Sequence, residues 1–412
     1  MPLDGGRNAM RLIFVNRYFH PDHSATSQML SDLVFFLAAA GHDVTVITSR
    51  QRYDDAAAQL LPHERIAGAS VHRVRTTRFG RGHLAGRAAD YTSFYLTAGW
   101  QLWRMARAGD VIVAKTDPPL ISVVAALIAR WRGARLVNWV QDVFPEAAEA
   151  LGVRVLAGPQ AGLLRVLRNR ALRSAAANVV LGESMAAVVA RAGVPARKIC
   201  VIPNWADMEA IRPVSAADNR LRRDWGLADK CVACYSGNMG RAHEFDTMLD
   251  AAAMLAHTAP HISFVFIGAG AQRSRVEHEA RRRNLGNLQF RPYQERASLS
   301  HSLGVGDIHL VSQRPEVEGY VFPSKLYGIL AAGRPLLFIG DLRGEISRLL
   351  AQEGIGVGVQ QGDSAGLAQQ LRRLADDAAL RAGMGARARA LLCTRYDQRI
   401  AFKAWAALLG SL

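Results

Sequence analysis

From Arg11 onward, short apolar and β-branched runs alternate with longer stretches of helical periodicity, the pattern of a parallel sheet with helices on both faces. RLIFVN (11–16) predicts a first strand, followed by a polar loop and a helix over about 26–40 that Gly41 ends. Further strands are predicted at 42–48, 71–76, 111–115, 135–140, 178–181 and 200–202, which completes one doubly wound α/β domain. The same grammar restarts after Pro203, Asn204 and Pro213, with CVACYSG (231–237), ISFVFIG (262–268), NLQFRPY (287–293), DIHLVS (307–312) and PLLFIG (335–340) as strands. The expected organisation is an extension (1–10), a first domain (11–205), a linker (206–214), a second domain (215–394) and a C-terminal helix (395–412) that crosses back to the first domain. Two such domains in tandem are expected to face a central cleft, where doubly wound folds bind ligands.

The 412 residues, 50% hydrophobic and 21% charged, supply material for two cores and exclude a disordered or fibrous chain. A net charge of +16 predicts an anionic partner: nucleic acid, anionic lipid or a phosphorylated substrate. The excess is spread over both halves, 25 basic against 16 acidic residues through position 210 and 26 against 19 after it, so no basic arm of the kind that wraps DNA is present. Only five of the basic residues are Lys. Four scattered cysteines suit a reducing cytosol rather than a disulfide framework, and Cys231 and Cys234 form a CxxC within a predicted strand, where they face opposite sides. MPLDGGRNAM is polar and acidic, unlike a signal peptide, and the longest apolar run, 120–129, is about half a bilayer span. A cytoplasmic protein, soluble or resting on a membrane surface, is expected.

The loops after the predicted strands hold the candidate chemistry. In NRYFHPDHSATSQ (16–28), His20, Asp22 and His23 precede a helix start with Ser24, Thr26 and Ser27, where free backbone N–H groups suit a phosphate or sugar hydroxyls. TDPPL (116–120) and VQDVFPE (140–146) end the next strands, the latter with Gln141, Asp142 and Glu146 at the crevice. YSGNMGRA (235–242) is a strand, small loop and helix start in which glycines permit close backbone approach to a diphosphate and Arg241 adds charge. It matches neither a Walker loop nor GxGxxG. In PEVEGYVFPSKLYGILAAGRP (315–335), Ser324 is the expected cap of a helix ending at Gly333. Lys325 in the first turn, where the helix dipole disfavours a cation, points to an anionic ligand, and Glu316 and Glu318 are placed to accept from sugar hydroxyls.

YFHPDHSATSQMLSDL, GHDVTVITS, TDPPL, VQDVFPE, SGNMG and above all VFPSKLYGILAAGRP resemble the family 4 glycosyltransferases, in order over about residues 11–405. Within them the resemblance is to the subgroup of colanic acid, O-antigen and exopolysaccharide synthesis, which includes fucosyl and N-acetylfucosaminyl transferases. It implies a GT-B fold of two Rossmann-like domains, and retaining transfer from a UDP- or GDP-sugar to a polyprenyl-diphosphate-linked saccharide at the inner-membrane surface. No metal or cofactor is expected. The implied catalytic residues are Asp142, Glu318 and His20. Ser236, Gly237, Asn238, Arg241, Tyr293, Glu316, Pro323, Ser324 and Lys325 are the implied donor contacts, and Asp22, His23, Ser24, Thr26, Gln141 and Glu146 the acceptor contacts.

Three departures from the family stand out. The second Glu of its Glu-x7-Glu motif falls at Gly328 and the first near Tyr320, so the ribose carboxylate is absent. The usual Arg and Lys of the diphosphate loop fall near Asn238 and near His243 or Glu244, and Lys325 with Arg241 is the expected replacement. Gln141 and Asp142 occupy the place of a common His. Competing readings are a sugar-nucleotide 2-epimerase of the same fold and a non-enzymatic basic protein binding membrane or nucleic acid. The expected membrane contacts are Leu163, Leu164 and Leu167 with Arg165, Arg168, Arg170 and Arg173, and Arg73, Arg75, Arg78, Arg81 and Arg87 before Tyr91, Phe94, Tyr95 and Trp100.

Overall fold

The computed structural model describes residues 10–22, 24–52, 55, 58–80, 84–153 and 158–412. Contacts divide the chain into two compact units: one formed by the chain through Pro203 with Gly319–Phe322 and Phe402–Leu412, the other by Asn204–Glu318 and Pro323–Ala401. His23, Arg81 and all but Met10 of the 1–10 extension lie outside the described residues.

In the first unit the described strands are β1 (Arg11–Val15), β2 (Asp43–Ser49), β3 (His63–Ile66), β4 (Ala69–Val74), β5 (Val111–Lys115), β6 (Arg135–Trp139), β7 (Ala177–Val180) and β8 (Ile199–Val201). They form one sheet in the order β3-β4-β2-β1-β5-β6-β7-β8, parallel except where β3 pairs antiparallel with β4 at the edge. The sequence reading missed β3 because HERI has alternating exposure and no apolar run. The helices are α1 (Ala25–Ala39), α2 (Leu84–Met105), α3 (Ile121–Arg132), α4 (Glu146–Ala150), α5 (Pro159–Ser174) and α6 (Glu183–Arg191). One sheet face buries Ile112 and Ala114 against Phe94 and Leu102 of α2 and Ala125 and Ile128 of α3. On the other face the C-terminal segment covers α1 and β6: Phe402 stacks on Phe36 with ring centroids 4.7 Å apart, and Trp405 lies 4.8 Å from Trp139. Lys115, fully buried on that face, holds Nζ 3.5 Å from the Trp139 ring centroid, and burial drives its pKa well below the ordinary lysine range.

In the second unit the described strands are β9 (Cys231–Ser236), β10 (Ile262–Ile267), β11 (Leu288–Arg291), β12 (Ile308–Ser312), β13 (Leu336–Gly340) and β14 (Gly356–Gln360), all parallel in the order β11-β10-β9-β12-β13-β14. Around them lie α7 (Arg220–Asp224), α8 (Asp246–Thr258), α9 (Arg273–Arg282), α10 (Leu299–Gly304), α11 (Lys325–Ala331), α12 (Glu345–Glu353), α13 (Ser364–Asp376) and α14 (Ala378–Leu391), followed by α15 (Gln398–Gly410). β14 was also missed: GVGVQ carries little strand signal, yet Gly356 is required, since a Cβ there would lie 1.9 Å from the Leu336 carbonyl oxygen. Cys231 and Cys234 pack on opposite faces of β9, and burial raises their thiols to about 11 and about 12. Residues 206–214, read as a linker, are tied into this unit. Arg389 donates to the carbonyls of Met208 and Ile211, and Ala206 bridges to Asp397.

Candidate active site

Each sheet has a topological switch point, where connections leave in opposite directions and the strand ends open a crevice. In the first unit it lies between β1 and β5, and in the second between β9 and β12.

At the first switch point the main chain after β1 hooks onto the loop after β5, the Arg17 amide donating to the Asp117 carbonyl at 2.7 Å. α1 begins beside it. Ser24 is its cap residue but makes no side-chain cap hydrogen bond. Thr26 directs its hydroxyl to Asp117 Oδ2 at 3.4 Å. From β6, the Gln141 amide donates to the Thr116 hydroxyl at 2.8 Å, and Asp142 enters a shallow pocket with Thr116, Ser122, Val140 and Phe144. The Asp142 side chain keeps solvent access while the surrounding protein raises its pKa to about 6, by desolvation first and by the Asp117 carboxylate second. Asp142 also bridges to Val321, and the Val143 amide donates to the Tyr320 carbonyl, so the 319–322 segment pins this loop.

At the second switch point, the loop after β9 is held from below by the Tyr235 hydroxyl, which donates to the Asn238 carbonyl at 2.8 Å. Gly237 (φ 135°) and Gly268 (φ 137°) pack backbone to backbone; a Cβ at Gly268 would fall 2.1 Å from the Gly237 oxygen, and one at Gly237 would strike Lys325 Cε at 2.7 Å. Lys325 lies along this glycine wall with Nζ 4.9 Å from the Tyr235 ring centroid. Its direct partner is His243, Nζ to Nε2 at 2.8 Å, and the other imidazole nitrogen is 2.5 Å from the Ser312 carbonyl. A carbonyl only accepts, so Nδ1 carries the proton and Nε2 receives from the ammonium. Burial lowers Lys325 to about 7. Burial first, and the Lys325 charge second, lower His243 to about 3. The pair thus carries at most one charge at neutral pH and, among the described residues, makes no ion pair with an acidic side chain; an anion entering here would meet a cation without a counter-charge among them.

Residues 26–205 match the family described as glycosyl transferase 4-like domain, and residues 218–391 match glycosyl transferases group 1. The chain belongs to glycosyltransferase family 4. It is 29% identical to WcaI of Escherichia coli K12, described as a colanic acid biosynthesis glycosyl transferase, over 82% of this chain and 86% of that protein. It is 28% identical to the glycosyltransferase WbjE of Pseudomonas aeruginosa, over 79% and 80%. Its fold is GT-B: the crystal structure of Anabaena HepE in complex with UDP-glucose superposes with a TM-score of 0.73 at 16% identity, covering 98% of this chain and 100% of that one.

Within this transferase the structure gathers Ser236, Gly237, Asn238 and Lys325 at one switch point, with Tyr293 beside Gly268. Pro323 and Ser324 precede α11, but Ser324 makes no side-chain cap bond, in contrast to its expected role. Arg241 is exposed in the turn after this loop and Glu316 on a short 3-10 turn. Glu318 serves a helix: its Oε1 accepts from the Glu345 amide at the start of α12 at 2.9 Å. Asp22 accepts from the Ser24 amide at 2.8 Å as a local turn, and the His20 ring packs edge-on to Phe35 at 5.8 Å. Glu146 is engaged through Oε1 by Arg168 at 2.6 Å and by Arg165 at 3.4 Å. At Gly328, where the family has Glu, a Cβ would already press Leu303 at 3.3 Å. Sequence reasoning placed the loop that begins at Asp117 at the crevice, from its position directly after a strand, but gave Asp117 no role of its own; it gave none to Tyr235 and read His243 only as the place of a lost Lys.

Several of the expected membrane contacts are internal. Phe94 is fully buried, the Tyr95 hydroxyl accepts from the Leu120 amide, Arg73 is buried and paired with Glu64, and Arg168 is buried against Glu146. Among the described residues no helix is long and apolar enough to cross a membrane.

Proposed function

We propose that this enzyme transfers a sugar from a UDP- or GDP-sugar held by the second unit to a lipid-linked saccharide received by the first, with retention of configuration, during bacterial surface polysaccharide synthesis at the cytoplasmic face of the inner membrane. The observation that carries the reading is the Gly237 and Gly268 wall with Lys325 along it: backbone pared to glycine beside a cation without a counter-charge suits a diphosphate. In the transfer, charge builds on the departing nucleoside diphosphate and the Lys325 ammonium neutralises it, so the chain's own cation fills the role a metal would have. Asp142, with its raised pKa, orients and deprotonates the acceptor hydroxyl. The descriptions of WcaI and WbjE and the UDP-glucose complex of HepE support this reading.

Thermal-shift titration with UDP-, GDP- and free sugars tests it. A nucleotide sugar at 100 times its dissociation constant should add about 2.7 kcal/mol of stability. No shift with any nucleoside diphosphate, or an equal shift with free sugar, refutes the donor assignment.

A further inference from the structure

The loop between β9 and α8 (237–245) carries His243 to Lys325 and has no regular structure, so its shape rests on where its backbone groups are satisfied. Three of its carbonyls accept from neighbouring elements: Asn238 from the Tyr235 hydroxyl at 2.8 Å, Met239 from the Gln272 amide at 3.0 Å and Ala242 from the Arg314 amide at 2.9 Å. Two more, Gly240 and His243, share a single side-chain donor. Gln272 Nε2 lies 2.8 Å from each, so its two hydrogens tie the ends of this turn together.

Gln272 stands where it can hold that turn without yielding. It is the cap residue of α9 yet makes no side-chain cap bond, and Gln is not among the residues that cap well. Its side chain reaches away from its own helix instead. Carbonyls only accept, so the amide nitrogen faces them and Oε1 is left to Arg275, which donates at 3.1 Å and pairs in turn with Asp246 at 2.9 Å. Behind it α9 buries Val276 and Ala280 in the core, which places the clamp on a rigid element. His243 is thereby fixed at three points. Its carbonyl meets Gln272, its amide donates to the Gly240 carbonyl at 3.1 Å and its Nδ1 donates to the Ser312 carbonyl, which leaves Nε2 for Lys325.

We propose that Gln272 is a positioning residue of the donor site: by clamping Gly240 to His243 it holds the imidazole at Lys325, and so sets how tightly the site receives an anionic donor. Among the described residues, the titratable side chains against Lys325 are His243 and Tyr235, whose ring centroid lies 4.9 Å from Nζ, and burial lowers the amine to about 7. An acceptor held at 2.8 Å stabilises the ammonium and offsets part of that burial, whereas one free to drift does not. Gln272 lies 32 and 29 residues from the two carbonyls it joins, so nothing local marks it. The inference rests on the proposed function in taking Lys325 as the cation that meets the donor.

The first readout needs no substrate. The chain has five lysines, so protein labelled with carbon-13 at lysine Cε gives five signals, of which Lys325→Arg removes one. Gln272→Ala, and Gln272→Met, which keeps the length but donates nothing, should each move the Lys325 titration to lower pH by about half a pH unit, as His243→Phe does. In the His243→Phe background the same substitutions should move it no further, because the group they position is gone. Ser274→Ala, exposed on the same helix, should leave it in place. Gln272 is half-buried, and its variants should keep wild-type circular dichroism. Calorimetry with UDP and GDP at pH 7.5 should show the nucleotide that binds weakened by about threefold in both Gln272 variants. A Lys325 titration that both variants leave unchanged overturns the proposal. So does a shift that adds in full to that of His243→Phe, which would make Gln272 a brace of the loop alone. A wild type that binds neither nucleotide refutes the donor reading instead, and the titration still decides the role of Gln272.

Discussion

The two switch points are built alike and charged oppositely. Where β1 and β5 diverge, the crevice is acidic, with Asp117 and Asp142 and a carboxyl raised to about 6. Where β9 and β12 diverge, it is cationic, with Lys325 lowered to about 7 against a neutral His243. Desolvation by the surrounding protein biases each site towards neutrality before its ligand arrives, as expected where it outweighs partner charges. The difference lies in what relieves that bias. A carboxyl near neutral pH suits proton exchange with hydroxyls, while a buried ammonium without a counter-charge suits a phosphate.

The sharpest way to break this comparison is Asp142→Asn. If Asp142 moves a proton, kcat should fall by about 10² to 10⁴ with the donor KM nearly unchanged. Its carboxylate is protonated below a pKa of about 6, so the wild-type rate should decline as pH falls through that value and the variant should lose this limb. Steady-state pH profiles check both. A full rate in the variant makes the acidic crevice structural.

Lys325→Ala should weaken donor binding by about tenfold to a hundredfold and leave the fold intact, the scale of one charged hydrogen bond. A lysine lowered to about 7 is charged below that pH and must take up a proton to meet a diphosphate above it. Donor affinity should therefore decline as pH rises beyond about 7, and Lys325→Arg should flatten the decline. Calorimetry in buffers of different ionisation enthalpy measures the proton directly.

The smallest effect is expected from His243→Phe, which keeps a ring but removes the Nε2 acceptor. Without that acceptor the ammonium is harder to hold, so the bend in donor affinity should move to lower pH, costing about two- to tenfold at pH 7.5. A bend that stays in place would show that His243 merely fills space.

Much of this was legible along the chain, because a buried parallel strand announces itself: β1, β5, β10 and β13 are near-continuous apolar runs bounded by turn residues. Where burial is one-sided or glycine replaces side chains, as in β3 and β14, the signal fades. The candidate donor site was half legible. Lys325 was conspicuous as a rare Lys in a helix first turn, but its partner His243 lies 82 residues earlier and nothing local marks the pair.

Local pattern determined the two α/β units, the strand-end loops and the motif of the family, since hydrophobic period and turn residues act over a few positions. Only tertiary structure decided which carboxylates are free. Glu146 and Glu318 read like Asp142 in sequence, yet the first is held by Arg168 and Arg165 and the second by an α12 amide, contacts made across 19 to 27 residues. It also decided that Phe94 is core while Trp100, six residues on in the same helix, is surface, because only the packing of α2 on the sheet and α3 selects which side of the helix is buried.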